Sequence, residues 1–427
     1  MVLMIMKSMI NLSNKNIPEG WSLEILEKQA TIVMGQSPES KFYNNNKGVP
    51  FLQGVRTFGD KYPFYDTYTN KVTKLAKKGS VLLSVRAPVG EVNIADRDVC
   101  IGRGLMSINS NNNTFLYYLL KAYKSCICEK ETGTVYGSVT RTDIAELELP
   151  FPSKEGQEKI AEILSSLDDK IELNRKINKN LEKLAGTIFK KWFIDFDFPN
   201  ENGEPYRSSG GKMIDSELGE IPYRWQIELL TDFVTIDKGL SYKGVDLGDE
   251  GKNLLIGLKC FERGGGFRID GAKQFSGEFK SQHLLNPGDL IVAMTDLTQG
   301  AEVLGKPAIV PIINNAEHLI ASLDVSILRP KNQQISKIYL YTLFMRQETQ
   351  DYLFGYSNGS TVLHLSIKGL NEFKLVVGPD DILQKFNNII ELIFSQAQIF
   401  NSEIQNLQII RDSLLSRLMS GKIRVKI

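Results

Sequence analysis

The sequence has few of the side chains from which most active sites are built. Its 427 residues include four cysteines and three histidines. His283, His318 and His364 all fall in the second half, and none stands in a catalytic setting. Cys126 and Cys128 are too close for a zinc knuckle, and no second pair accompanies them. No glycine-rich loop ends in Gly-Lys-Ser/Thr, and "GGKMI" at Gly210 lacks the hydroxyl that would hold a metal ion. A dinucleotide fingerprint, a Gly-x-Ser-x-Gly elbow and a zinc-protease helix are also missing. "GRGL" at Gly102 and "RGGG" at Arg263 read as turns, and Asp168-Asp169 and Asp380-Asp381 as a solvated helix face or N-terminal turn. The sequence therefore predicts no catalytic residue, no metal site and no cofactor.

Charge of one sign is lacking too. Lys and Arg number 51 against 50 acidic residues, so net charge is +1. That lowers the expectation of a nucleic-acid binder, although a neutral total can hide a basic face. No run approaches the roughly 20 apolar residues that span a bilayer, which predicts no membrane association. The opening "MVLMIMKSMI" is interrupted by Lys7 and lacks a cleavage site, so residues 1–14 read as an N-terminal extension and not a signal peptide. Without an export signal the expected location is the cytoplasm, with reduced cysteines.

What is present is a soluble, globular composition, 42% hydrophobic and 24% charged, over a length that implies two or three domains. It is also a repeat. "IPEGW" ending at Trp21 returns as "IPYRW" ending at Trp225, and "GQSP" from Gly35 answers "GLSY" from Gly239. "FLQGV" (Phe51–Val55) answers "LLIGL" (Leu254–Leu258), and "KKGSVLLSVR" answers "NPGDLIVAMT" through Gly79 and Gly288. Further on, Thr132–Pro152 lies against Asn358–Pro379. Each copy then opens a long segment with few helix breakers. In the first, Ile160, Leu164, Leu167, Ile171, Asn174, Asn178, Leu181, Ala185, Ile188 and Trp192 follow the alternating four-three steps of a coiled-coil seam. In the second the seam is Phe386, Ile390, Ile393, Ala397, Phe400, Ile404, Leu407, Arg411, Leu414 and Leu418. Ala185 and Arg411 are its weak points, and Gly186 predicts loose packing beside Ala185.

A lone helix with so long a stripe leaves much of it in water, even if part packs on its own domain. Antiparallel pairing of the two covers both stripes. Full overlap puts Trp192 opposite Phe386, Asn174 beside Ile404 and Asn178 beside Phe400. The expected fold class is α+β: two similar mixed α/β domains separated by two long helices that pair as an antiparallel coiled coil, with a pseudo-two-fold. The expected boundaries are the extension 1–14, a first domain 15–152, a first helix 153–193, a linker 194–220, a second domain 221–379, and a second helix with C-terminal tail 380–427. The linker, rich in Asn, Gly, Pro and Ser, is expected outside any core. Such a molecule suits a partner of two-fold symmetry, duplex DNA above all, with unlike half-sites read by the unlike copies.

The stretch "LPFPSKEGQEKIAEILSSLDDKIELNRKINKNLEKLAGTIFKKWFIDFDFPNENGEPYRSSGGKMIDSELGEIPYRW" resembles the central region of specificity subunits of type I restriction-modification enzymes. "GQSPES", "PFLQGV", "LLSVRAPVGEVNIA" and "CIGRGL" resemble the first target-recognition domain of that family, and the resemblance covers nearly the whole chain. The second domain departs from the first: Arg86 aligns with Thr295, and "APVG" becomes "DLTQG". The resemblance implies a non-catalytic reader of double-stranded DNA that holds two methyltransferase subunits and recruits ATP-dependent restriction subunits. S-adenosylmethionine, ATP and magnesium would then be bound by those partners.

Arg and Lys suit guanine, Asn and Gln suit adenine, and Ser, Thr and Lys suit phosphate. In glycine-marked turns between apolar runs, the candidates are Gln36, Ser37, Tyr43, Gln53, Arg56, Arg86 and Arg103 in the first domain. In the second they are Ser241, Lys243, Lys259, Thr295, Thr298 and Gln299. Arg86 and Arg103 equally fit a structural ion pair with Glu91 or Asp96. Lys154, Glu155, Glu158, Lys190 and Lys191 on the helices are candidates for docking the methyltransferases. Alternatives are a specificity subunit of another restriction-modification system and a coiled-coil scaffold that does not bind DNA.

Overall fold

The computed structural model describes residues 17, 19–132, 137–248, 251–298, 300–313 and 316–426. The extension expected at 1–14 and Gln299 lie outside them. The chain divides into two units: Met1–Arg175 with Ser402–Ile427, and Lys176–Asn401.

The first unit is organised by a four-stranded antiparallel sheet in the order Ala30–Met34, Leu105–Ser110, Val81–Ser84, Val92–Ile94. Side chains alternate across a strand, so a strand covered on both faces must be apolar at every position. Val81, Leu82 and Leu83 meet this condition, and Ser84, buried with them, donates its hydroxyl to the Pro88 carbonyl at 2.7 Å. Val81 and Leu83 join the core beneath the helix Asn113–Ala122, while Leu82 joins Leu52, Val99, Ile101 and Leu105 on the other side. That second core is shared with a five-stranded sheet of short strands, in which Phe51–Leu52 runs parallel to Cys100–Ile101. Asn112 caps the helix by accepting from the Phe115 amide at 2.9 Å. Ser22–Ile25 pairs with Glu148–Phe151 and so ties the start of the domain to its end.

The second unit repeats this plan within itself. Val234–Lys238, Val325–Pro330, Leu290–Ala293 and Pro307–Ile309 form the sheet in the corresponding order. Leu290 and Val292 enter one core, Ile291 and Ala293 the other. Asn253–Ile256 runs parallel to His318–Ala321, and Gln226–Leu229 closes on Lys374–Val377. Ser336 caps the helix Lys337–Phe344, as Asn112 does in the first unit.

Two helices of 40 residues, Lys154–Phe193 and Asp380–Met419, carry the two expected seams. All twenty seam positions are buried or half-buried. Within the first unit the helices run antiparallel: Asp168 meets Arg411 at 2.8 Å and Asn174 meets Glu403 at 2.8 Å. Within the second, Asn178 meets Asn401 at 2.7 Å, and Trp192 packs on Phe386 with ring centroids 5.8 Å apart. The polar partners of the two asparagines are thus the immediate neighbours of Ile404 and Phe400. Each asparagine spends its amide on that partner and leaves its carbonyl oxygen without one.

Two expectations from composition are corrected. Asp168 does not lie on a solvated face: it is 2% exposed, held by Arg411 and by the Tyr118 hydroxyl. Asp169 beside it is exposed and reaches the Lys61 ammonium at 2.8 Å. The segment after Phe193 is not outside the core either, because Phe196 and Phe198 are buried. Phe198 stacks on Trp225 and Tyr206 at 5.1 and 4.7 Å, so the polar composition around it concealed three aromatic anchors. At the two weak points of the seam the units differ. Arg411, 4% exposed, lies between Asp168 and Asp60, whereas Ala185 and Gly186 border a cavity of about 140 Å³ lined by Tyr341, Met345 and Phe394.

Candidate nucleic-acid interface

In the first unit three loop segments meet where the strands of the two sheets end. The Gly35 amide donates to Leu105 and the Gln36 amide to Ile101, both at 2.9 Å. The Gly102 amide donates to Leu52 at 2.8 Å and the Gly104 amide to Gln53 at 3.1 Å. These bonds press backbone on backbone. A Cβ at Gly35 would stand 2.2 Å from the Gly102 oxygen, which no L side chain can accept. The requirement for glycine therefore follows from the crossing of two loops and not from a turn.

Ser37, Gln53 and Arg103 are brought together by this crossing, with Gln36 on the adjoining turn. Ser37 Oγ accepts from the Arg103 amide at 3.2 Å, while the Arg103 side chain is exposed. Gln36 and Gln53 are exposed as well. Arg86 joins from the neighbouring strand, since the Val85 amide donates to Gly104 at 2.9 Å. Neither Arg86 nor Arg103 makes an ion pair among the described residues. The acids weighed as their partners are engaged elsewhere, Glu91 with Lys124 at 2.5 Å and Asp96 with Arg97 at 3.2 Å. Two guanidinium groups free of carboxylates, flanked by two exposed glutamines, form a surface suited to phosphates and base edges.

The other candidates take no part in the bonds of this crossing. Tyr43 is half-buried, its hydroxyl donating to the Pro38 carbonyl at 3.0 Å and its ring packed on Phe51. Arg56 is exposed but holds Asp66 through two bonds of 2.6 and 2.7 Å, and that pairing keeps the Asp66 carboxyl below the usual carboxylate range. On the helices, Lys190 is paired with Asp195 at 2.7 Å, while Lys154, Glu155, Glu158 and Lys191 are exposed.

The second unit builds the same frame. Gly239 donates to Val325 and Leu240 to Ala321, Ser322 donates to Ile256, and Met294 donates to Asp324. A Cβ at Gly239 would lie 2.0 Å from the Ser322 oxygen. Ser241, Lys243 and Lys259 are exposed on this side of the frame. Thr298 is half-buried, its amide and hydroxyl both donating to Asp296 at 2.7 and 2.8 Å. Thr295, expected at a loop tip, is 5% exposed, because it pairs with His364 in a short strand. The correspondence of Arg86 with Thr295 is nevertheless structural. Val139 donates to Val85 as Leu365 donates to Met294. Gln53 has no counterpart, since the second unit passes from Ile256 through Gly257 directly into the turn Leu258–Cys260. Leu323 occupies the place of Arg103, a match hidden from the sequence because "IGRGL" and "ASLDV" share no residue type at any aligned position.

The model of the type I restriction modification DNA specificity domain matches residues 18–183. A specificity subunit of the MjaIX type I restriction enzyme from Methanocaldococcus jannaschii is 27% identical over 96% of this chain and 95% of its own length. Over nearly its whole length the chain is similar to type I restriction-modification specificity subunits, and its first part matches their DNA specificity domain. The MjaX specificity subunit of the same organism is 45% identical, but that match spans 40% of this chain and 42% of the relative. The HindI specificity subunit of Haemophilus influenzae is 28% identical over 82% of the chain and 88% of its own length. The fold agrees with a crystal structure of a type I restriction-modification S subunit from M. genitalium, with a TM-score of 0.53 at 19% identity, covering 98% of this chain and 99% of that one.

Among the described residues no helix is long and apolar enough to cross a membrane, and no group of three or more His, Cys, Asp or Glu side chains is placed to hold a metal ion.

Proposed function

We propose that this chain is the DNA-reading subunit of a type I restriction-modification enzyme, non-catalytic itself and acting in the cytoplasm. The recognition domains at 15–152 and 221–379 each read one half-site of an asymmetric bipartite target. The subunit then positions two methyltransferase subunits and the ATP-dependent restriction subunits on that DNA. The observation that carries this reading is the repeated frame: both units cross the same loops with the same backbone bonds, yet present different exposed side chains. A scaffold without DNA binding gives no reason for such divergence at one conserved frame. In the first domain Gln36, Ser37, Gln53, Arg86 and Arg103 contact DNA, with Tyr43 and Arg56 beside them. In the second, Ser241, Lys243 and Lys259 do so, with Thr298 on the neighbouring loop and Gln299 next to it in sequence.

The test is selection from a randomised duplex library by the full chain, with and without its methyltransferase partner, followed by sequencing. Two unlike half-sites at a fixed gap are expected. Binding without sequence enrichment, even with the partner present, would sink the proposal in favour of a scaffold.

A further inference from the structure

The turn carrying Arg103 and the turn carrying Leu323 are superposable in their bonding. Leu105 donates to Gly102 at 3.0 Å, and Val325 to Ser322 at 2.9 Å. The residue after the exposed one accepts from the strand beside it in both, Gly104 from Val85 and Asp324 from Met294. On the facing loop, Gln36 corresponds to Leu240, for each donates its amide to the equivalent carbonyl, Ile101 and Ala321. The exposed Arg103 of the first unit is thus replaced by Leu323 in the second, and the exposed Gln36 by Leu240, which packs half-buried on Leu255, Phe275 and Ile320. Leu323 is 55% exposed, and Leu297 on the loop after Met294 is 67% exposed. A single exposed leucine requires no explanation. A leucine at the place where the other copy aims an arginine does, because more than half of it is left in water.

Base edges in the major groove offer one apolar group, the 5-methyl of thymine; guanine and adenine offer acceptors and a donor that suit Arg and Gln. We propose that Leu323 is a specificity-determining residue that reads the methyl group of a thymine in the second half-site, at the place where Arg103 reads a purine in the first. This rests on the DNA-reading function above. It adds a chemistry for the second domain that counting cations does not suggest.

The experiment uses the full chain with its methyltransferase partner and the bipartite duplex obtained by selection. Each thymine of the second half-site is replaced in turn by deoxyuridine, which lacks only the methyl. Covering one methyl corresponds to about fourfold in affinity, so a loss of that order is expected at one position. Leu323→Ala should abolish that sensitivity while leaving discrimination at the first half-site intact, which also shows that the variant is folded. Uniform indifference to deoxyuridine, or unchanged sensitivity in Leu323→Ala, would overturn the inference and leave the DNA-reading function standing. Absence of any enriched sequence would overturn both.

Discussion

Replacing Arg411 by methionine removes a cation that touches both Asp168 and Asp60. The guanidinium lies 2.8 Å from Asp168 and 3.2 Å from Asp60, with side-chain exposures of 5%, 2% and 25% respectively. Asp60 keeps Arg175 at 3.1 Å, and among the described residues Asp168 keeps the Tyr118 hydroxyl. Removing one partner of a buried pair typically costs about 3–5 kcal/mol, since the other charge is left without compensation. Because Asp168 is nearly inaccessible to water, the upper part of that range applies. Urea unfolding of the full chain, followed by circular dichroism, should show the loss in whichever transition includes the first unit. Hydrogen exchange should place the weakened amides in Asn113–Ala122 and in the helix segments around Asp168 and Arg411. If an uncompensated carboxylate is the cause, Asp168→Asn in the Arg411→Met background should recover part of the loss, with a coupling of about 1–3 kcal/mol. The effect should persist in high salt, because screening acts weakly on buried charges. A cost below about 1 kcal/mol, or strictly additive effects, would refute this account of the seam.

The same network predicts an acid-sensitive step. Burial alone would raise the Asp60 carboxyl, but Arg411, Lys121 and Arg175 outweigh it and hold it down at about 2, from 3.8. Asp60 thus contributes about 2 kcal/mol above its unfolded pKa, lost as pH falls from about 4 through about 2; the urea midpoint of Asp60→Asn should therefore change less over that window than that of the parent. Gly35→Ala forces a Cβ to within 2.2 Å of the Gly102 oxygen and should destabilise by about 1–3 kcal/mol, with loss of binding confined to the first half-site. Gly186→Ala meets no atom within 4 Å and should stabilise the second unit by about 1 kcal/mol through helix propensity, read as a raised urea midpoint.

Periodicity made the long helices legible, because a seam is written in every third or fourth residue of one continuous segment. The repeat was legible for a similar reason: Trp21 and Trp225, Gly35 and Gly239, and the strands after Gly79 and Gly288 answer fixed structural demands. The glycines at the crossings could be seen as repeated, but the cause of their requirement, the carbonyl groups of Gly102 and Leu105 against Gly35 and of Ser322 and Ala321 against Gly239, could not. The free state of Arg86 and Arg103 was open in the sequence, since Glu91 and Asp96 were equally available until Lys124 and Arg97 were seen to hold them.

The repeated motifs determined that this chain holds two copies of one α+β unit, and spacing determined which residues line its helices. Tertiary structure alone decided that Arg411 in the seam has two buried carboxylates, that Phe196 and Phe198 belong to a core, that Thr295 is hidden and that Leu323 stands where Arg103 does. Periodicity and turn chemistry act between near neighbours in the chain and leave a local record. Charge compensation and loop crossing join residues remote in sequence, and their record exists only where the folded chain brings them together.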